Sequence, residues 1–232
     1  MALVVHQNNF YYNDEEQFSV GSLIEEIWKQ LPQEARHITR NRVYFTVPLT
    51  PFCDGILKVA GKRASLISAI EYNQKLDELF NTKTPIKIKS TQKNKLDFPF
   101  PQKKSLYTFE EAMNLAESLT EFSKIKIGAV LLDSKNQLIS WGWNQHSDIK
   151  THHAEIMLIN NYIATFQSKI PPQCTLITTL QPCAMCAGYL HAFCEDFNSL
   201  KIIYKNKDPG PKAQNSILVP GSPLWKNANQ KI

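Results

Sequence analysis

Hydrophobic and polar positions in the C-terminal half of the chain follow helix and strand periods in turn. The run YTFEEAMNLAESLTEF begins near Thr108 and has Glu111 three residues later, the capping-box spacing that precedes an amphipathic helix. IKIGAVLL and QLISWGW are rich in strand-forming residues, and the turn-rich tetrapeptide DSKN separates them. These two runs therefore predict a β-hairpin.

The pattern continues with a helix over about 152–166, a strand over 173–180, a helix from Pro182 to about Cys194, and a strand over 200–205. The order of elements is thus α, β, β, α, β, α, β. This order predicts an α/β fold in which a mixed β-sheet is sandwiched by helices on both faces.

The N-terminal half has a shorter list of recognisable elements. VGSLIEEIWKQL places its apolar residues on one face of a helix, VYFTVPL (43–49) has the composition of a strand, and the run from Ala64 to Phe80 predicts a second helix. These elements predict a small α+β domain. Its sequence contains no motif to which a chemistry can be assigned.

A change of composition separates the two halves. Residues 82–106 contain seven lysines, one aspartate and three prolines, which oppose compact regular structure. We therefore predict an accessory domain over 1–81, a linker over 82–106 and a larger domain over 107–232. The linker lysines are interpreted first as a solvated connection and second as a grip on a phosphate backbone.

Overall composition narrows the class of protein further. The first residues contain too short an apolar run for a secretory signal, and no run approaches the ~20 residues of a membrane span. Five cysteines form an odd, sparse set, which favours reduced thiols over a disulfide framework. We expect a soluble, cytoplasmic protein without membrane contact, and the net charge of +5 is weak support for an anionic partner.

The most informative stretch is QPCAMCAG, in which Cys183 and Cys186 are three residues apart and share a helix face. Pro182 suits the first helical position, so both thiols are expected in the opening turn, where the helix dipole favours thiolates. Such a pair can be a redox couple, half of a structural zinc knuckle or part of a catalytic metal site.

A second predicted helix start, THHAEIM, lies upstream and contains His153 and Glu155. Together the two helix starts supply one imidazole, two thiolates and one carboxylate, the signature of zinc deaminases that act on bases. Three protein ligands leave one tetrahedral position open for water, as catalytic zinc sites do. His153, Cys183 and Cys186 are therefore predicted to hold one Zn²⁺ per chain, with Glu155 as the proton shuttle.

Two other interpretations carry less weight. A thioredoxin-like redox pair is natural on an α/β fold, but it gives no reason for the HAE motif at a second helix start. A structural zinc knuckle needs a fourth ligand, and four other residues could in principle offer one: His152, His191, Cys174 and Cys194.

These motifs resemble the cytidine-deaminase-like superfamily, and more closely its tRNA adenosine deaminase branch. The likeness extends from about Tyr107 to about Ala213, through IGAVLL, WGWN, HAEI, PCAMCAG and KIIYKNKDP in the family's order. The resemblance implies the same zinc ligands and proton shuttle. It also implies that Asn144 and the backbone of Ala154 contact the substrate nucleoside, although a loop-capping role for Asn144 stays open.

The N-terminal half is similar to that of a small bacterial deaminase family suspected of RNA editing. Two departures from the tRNA deaminases stand out. Gln181 occupies a position where relatives often have glutamate, and SILVPGSPLWKNANQKI replaces the last strand and helices that help to hold the RNA loop. The second departure leaves tRNA specificity open.

The sequence thus predicts a zinc-dependent hydrolytic deaminase of adenosine or cytidine in RNA, with tRNA as one candidate substrate. A deaminase of free bases or nucleosides is the first alternative, and a non-catalytic RNA-binding protein with structural zinc is the second. The resemblance further implies a homodimer.

Overall fold

The computed structural model describes residues 1–14, 19–91, 93, 95–100, 104–145, 149–214, 216–218 and 230–231. Its strands form two five-stranded sheets, one in each half of the chain. None of the described helices is both long enough and apolar enough to span a membrane.

The N-terminal sheet has the strand order β4-β3-β1-β2-β5 and is covered by helices. A hairpin of β1 and β2 lies at its centre, while β4 and β5 join the edges in parallel pairs. Its elements are β1 (Ala2–His6), β2 (Asn9–Asn13), α1 (Ser19–Gln30), α2 (Pro32–Ile38), β3 (Arg42–Phe45), α3 (Pro51–Val59), β4 (Arg63–Leu66), α4 (Ala69–Thr82) and β5 (Thr84–Lys87).

Several of these elements differ from the sequence prediction. The predicted helix over 64–80 is wrong at its start, because β4 pairs with β3 there and the helix α4 begins only after its Ser68 cap. In this capping box the Ser68 hydroxyl accepts from the Glu71 amide while the Glu71 carboxylate accepts from the Ser68 amide. The predicted strand at 43–49 is shorter than expected, since β3 ends at Phe45.

The C-terminal sheet is mixed, as predicted, with the order β10-β9-β8-β6-β7. The β6–β7 and β6–β8 pairs are antiparallel and the β8–β9 and β9–β10 pairs are parallel. Helix α5 packs on one face, and α6 with α7 on the other. The elements are α5 (Phe109–Ser118), β6 (Gly128–Leu132), β7 (Leu138–Trp143), α6 (Ala154–Phe166), β8 (Thr175–Leu180), α7 (Ala184–Phe193), β9 (Lys201–Asn206), α8 (Pro211–Gln214) and β10 (Gln230–Lys231).

The chain terminus differs from the expectation that the last strand is lost. The two residues of β10 pair in parallel with Ile203 and Tyr204 of β9 and extend the sheet by one short strand. Residues 219–229 lie outside the described part of the chain, so most of the replaced segment cannot be compared with the prediction.

The stretch predicted as an irregular linker is only partly irregular. Residues 84–87 form β5 in the N-terminal sheet, so the prediction is wrong there. Further on, Phe98 packs edge-on against Trp141 with ring centroids 4.9 Å apart, and the Leu96 amide donates to the Asn161 side chain. Apolar residues between the lysines therefore attach this segment to the C-terminal half.

The two halves share one apolar core through α3 and α7. A Cβ built on Gly55 would lie 2.3 Å from the Ala184 carbonyl oxygen, and one on Gly188 would lie 2.3 Å from the Pro51 oxygen. The start of α3 thus faces the middle of α7 and the middle of α3 faces the start of α7, so the two helices are antiparallel and their backbones touch. Two glycines permit this approach because any side chain would hold the helices apart.

Candidate active site

The start of α6 and the start of α7 lie at the same edge of the C-terminal sheet, because β7 and β8 both end there. Gly142 in β7 fixes the first of these helices, since a Cβ at that position would lie 2.5 Å from the Ala154 oxygen. His153 is the N-cap of α6 and Cys183 is the N-cap of α7, and neither side chain bonds to its own helix end. The two side chains instead meet each other, with the Nδ1 atom of His153 3.5 Å from the Sγ of Cys183.

Helix α7 begins later than predicted. Pro182 does not occupy the first helical position but precedes the cap, and the helix begins at Ala184. Cys183 consequently has an extended backbone, with φ −71° and ψ 173°, while Cys186 lies in the first turn. The i, i+3 spacing still brings both sulfurs to one side.

Three of the sequence-predicted residues converge on one point. The Nδ1 atom of His153 lies 3.5 Å from the Sγ of Cys183 and 3.5 Å from the Sγ of Cys186, and the two sulfurs are 3.6 Å apart. A tetrahedral Zn²⁺ with ordinary bond lengths requires separations of about 3.6 Å between nitrogen and sulfur and about 3.8 Å between sulfurs. The three side chains therefore fit one zinc ion without rearrangement, and they are the one such group of three found among the described residues.

Glu155 lies two residues after His153, in the first turn of α6, and is only 3 % exposed. Burial raises its pKa, the charge on Cys183 raises it further, and the resulting value is about 7. Its carboxyl group also lies within hydrogen-bonding reach of the Cys186 thiol. A carboxyl group with this pKa can exchange a proton near neutral pH, as a general acid–base requires.

The two thiols have opposite tendencies although they are neighbours. The pKa of Cys183 is well below its usual range because it accepts from Cys186 and from His153, which together outweigh burial. Burial and the adjacent Cys183 raise the pKa of Cys186. Cys183 is thus the first of the two thiols to ionise, and a cation between the sulfurs would favour ionisation of Cys186 as well.

The two predicted substrate contacts lie beside this cluster. Asn144 directly follows β7 and is 4 % exposed. Its backbone amide donates to the Ile127 backbone oxygen, and its backbone carbonyl accepts from the Ser123 hydroxyl. Ala154 is the first residue of α6 and is buried. Their roles toward a substrate stay predictions, but their backbones are held firmly at the same sheet edge.

Other residues that could have joined the site lie elsewhere. His152 is next to the charged residues of α1, and burial lowers its pKa to about 4. His191 packs against Phe197 at the far end of α7, with ring centroids 5.3 Å apart. The remaining cysteines are buried and unpaired, as expected for apolar fillers: Cys53, Cys174 and Cys194.

A buried polar network behind the site was not found from the sequence. Lys93 of the linker bridges Glu25 on α1 at 3.1 Å and the Tyr189 hydroxyl on α7 at 2.8 Å, and that hydroxyl donates to Asn160 on α6. The network therefore joins the N-terminal half, the linker and both site helices. A buried pair of glutamates in EEIWK is the signal that could have indicated it, since such residues need cationic partners.

Comparison with known proteins gives weak overall similarity in structure. A solved structure from a study of A-to-I editing by tRNA:A34 deaminases aligns with a TM-score of 0.44 at 26 % identity, over 53 % of this chain and 95 % of that one. A guanine deaminase from Nitrosomonas europaea aligns with a TM-score of 0.42 at 19 % identity, over 50 % and 72 %.

Similarity in sequence is more specific. The tRNA-specific adenosine deaminase of Haemophilus influenzae is 40 % identical over 80 residues, which are 33 % of this chain and 46 % of the relative. The tRNA(Ile)-lysidine synthase of Deinococcus radiodurans is 32 % identical over 80 residues, or 34 % and 14 %. The chain thus spans less than half of either relative's length.

The family model described as Bd3614-like deaminase matches residues 120–221, the segment that contains all three clustered side chains and Glu155. The fold around them is the helix-covered mixed sheet that the motifs predict. This part of the chain is therefore similar to the Bd3614-like deaminases, and tRNA-specific adenosine deaminases are among the proteins of similar sequence.

Proposed function

We propose that the protein is a zinc-dependent hydrolytic deaminase that replaces the exocyclic amino group of adenosine or cytidine in RNA with oxygen. The observation that carries the proposal is the triangle of His153, Cys183 and Cys186, whose edges of 3.5–3.6 Å match one tetrahedral zinc ion. The matching deaminase family model supports the reaction class.

The chemistry assigned to each residue follows from its position. When bound, zinc would lower the pKa of a water in its open position. Glu155 would take a proton from the attacking water and deliver it to the ring nitrogen next to the amine-bearing carbon. The water oxygen bonds to C6 of adenine or C4 of cytosine, and the C–N bond to the amine breaks. The remaining water proton completes the leaving ammonia, so the products are inosine or uridine and ammonia.

Asn144 and the backbone of Ala154 are proposed to orient the nucleoside. Both lie at the edge where the two site helices begin, and both are fixed by backbone contacts to β6, β7 and α6. A substrate hydrogen bond to a rigid group needs little ordering on binding. The zinc apparatus itself is common to enzymes for several bases, so base identity would depend on the shape of the surrounding pocket.

RNA is proposed as the substrate because the relatives with sequence similarity are named for tRNA. The test is nucleoside mass spectrometry of total cellular RNA after incubation with the zinc-loaded protein. We expect inosine or uridine to rise with the wild type, and the Glu155→Ala variant to be slower by about 10²–10⁴-fold because the proton shuttle is lost.

Control measurements separate the rival functions. Glu155→Ala should keep its zinc and its thermal unfolding midpoint, since the carboxyl group lies outside the ligand triangle. Release of ammonia from free nucleosides but not from RNA would favour a small-molecule deaminase. RNA binding that is unchanged in Glu155→Ala, with no ammonia from any substrate, would favour a non-catalytic protein with structural zinc.

A further inference from the structure

Five basic residues from both halves of the chain interact electrostatically near the start of α6, where Lys150 precedes His153 by three residues. Arg36, Arg40 and Lys62 come from the N-terminal half, and Lys150 and Lys212 come from the C-terminal half. Four of them are exposed and Lys150 is half-buried. We call these five residues the basic surface.

The charges on the basic surface repel one another. Burial lowers the pKa of Lys150, and Lys212, Lys62, Arg36 and Arg40 all lower it further because they carry the same charge. Within the described ranges, no carboxylate lies within ion-pair distance of any of the five. Other lysines do have carboxylate partners: Lys58, Lys87, Lys93, Lys104 and Lys205.

This contrast bears on the linker lysines, for which the sequence favours a solvated connection and offers a grip on a phosphate backbone as the second interpretation. Lys87, Lys93 and Lys104 are paired with Asp14, Glu25 and Glu111 respectively. Their charges are thus used within the protein. Lys83, Lys89 and Lys95 of the same segment have no carboxylate partner among the described residues, so the basic surface differs from the linker in the proximity of its five charges to one another.

The basic surface adjoins the candidate active site on two sides. Lys150 is three residues before His153, and its Nζ lies 6.0 Å from the ring centroid of Trp28 on α1, which joins the loop to the N-terminal half. Lys212 is on α8, which packs against the cysteine helix α7. A chain bound along this surface would therefore pass next to the metal ligands.

We propose that the basic surface binds the phosphate backbone of the RNA whose base enters the site. The inference rests on the proposed function and adds that the N-terminal half contributes directly to substrate binding. Clustered like charges without counterions oppose folding, whereas a polyanion relieves their repulsion and releases its own counterions. A repeating phosphate chain also matches five cations distributed over two halves better than a single small anion does.

The test compares two double variants in the Glu155→Ala background, so that no turnover disturbs binding. Arg36→Glu with Arg40→Glu alters the basic surface. Lys135→Glu with Lys169→Glu, at exposed positions on the hairpin turn and beyond the far end of α6, makes the same change of charge elsewhere. Fluorescence anisotropy with a fluorescein-labelled single-stranded RNA of about 16 nucleotides gives the affinity against salt concentration.

The slope of the logarithm of the association constant against the logarithm of salt concentration is negative, and loss of two phosphate contacts reduces its magnitude by about 1.4. The same loss weakens binding roughly 25-fold at about 0.1 M salt. We expect this change in the basic-surface variant and much less in the control. Equal losses in both variants, or an unchanged slope, would overturn the proposal. Circular dichroism and unfolding midpoints identify a variant that has not folded, and Lys62→Glu then replaces the failed pair.

Activity measured in the wild-type background distinguishes the two proposals. If the basic surface binds RNA as expected but no ammonia is released from any substrate, the deaminase function fails while the surface stands. If nucleosides and RNA are deaminated equally well by the wild type and by Arg36→Glu with Arg40→Glu, the surface fails while the deaminase function stands.

Discussion

The contact between α3 and α7 can be tested by whether the substitution Gly55→Ala raises or lowers the free energy of unfolding. In an isolated helix this change is stabilising, because alanine restricts the unfolded chain and is the better helix former by about 0.4–1 kcal/mol. In the folded protein the new Cβ would lie 2.3 Å from the Ala184 oxygen and 2.7 Å from the Met185 Cα. Ordinary contacts require about 3.4 Å or more, so the helices must move apart by roughly 1 Å.

The cost of that movement exceeds the gain. Inserting a methyl group into a packed contact costs about 1–3 kcal/mol, and here the opposing atoms are backbone, which cannot rotate away. The net effect is destabilisation by up to about 2–3 kcal/mol, a fall in the unfolding midpoint of roughly 4–12 °C for a chain of this size. Ala184 and Met185 lie between the two cysteines, so the shift should also weaken zinc binding.

Differential scanning fluorimetry and zinc titration of the purified variant measure both effects. Gly210→Ala is the matched control, since its Cβ would meet only the Asp208 side chain, at 3.0 Å. Gly188→Ala should act like Gly55→Ala, and the double variant should lose less than the sum, because the first substitution already separates the helices. A higher midpoint for Gly55→Ala than for the wild type would refute the docking of the two halves.

Three further predictions concern the metal ligands and the network behind them. Cys183→Ser should reduce bound zinc, measured by mass spectrometry of the metal, whereas Cys174→Ala should retain it; equal zinc in both would remove Cys183 from the ligand set. Burial raises the pKa of Glu25, but the charges of Lys93 and Lys29 outweigh it and lower the pKa to about 2. Because this folded pKa lies below the unfolded value, Glu25 contributes stability above about pH 4.5, and up to about 3 kcal/mol is lost as the pH falls toward 2. Urea unfolding between about pH 6 and pH 3 should show a shallower pH dependence for Glu25→Gln, and an identical slope would contradict the ion-pair assignment. Tyr189→Phe should lower the unfolding midpoint by removing the hydrogen bonds to Asn160 and Lys93, at about 1 kcal/mol or more, and an unchanged midpoint would show that the network is not structural.

Local sequence patterns were sufficient to predict most secondary-structure elements of the C-terminal half. The capping box at Thr108 and Glu111 forms as expected, and the hairpin turns at DSKN, where Asn136 adopts a left-handed φ of 61°. Such features depend on contacts within a few residues, which the sequence displays directly. The HAE and PCxxC motifs indicated the candidate site for the same reason, because each predicted ligand lies at a helix start.

The sequence analysis did not predict helix α3, although the sequence contains a signal for a helix start there. Thr50 caps the helix by accepting from the Cys53 amide, and Pro51 occupies the first turn, the usual combination at a helix start. The apolar run after it is short and contains Gly55, which lowers helix propensity. Gly55 is required by its close contact with Ala184 on α7, which lies about 130 residues further along the chain.

The sequence alone was sufficient to predict the candidate site residues, the mixed sheet and the order of its elements, because residue types, spacings and periodicities are local properties. Only the tertiary structure decided which charges are neutralised and which are left open. Lys93 is paired with Glu25, whereas Arg36 and Lys150 lie near each other and have no carboxylate partner within the part of the chain that the structure describes. Coulomb interactions act between positions in space, and the docking of α3 on α7 is what sets those positions.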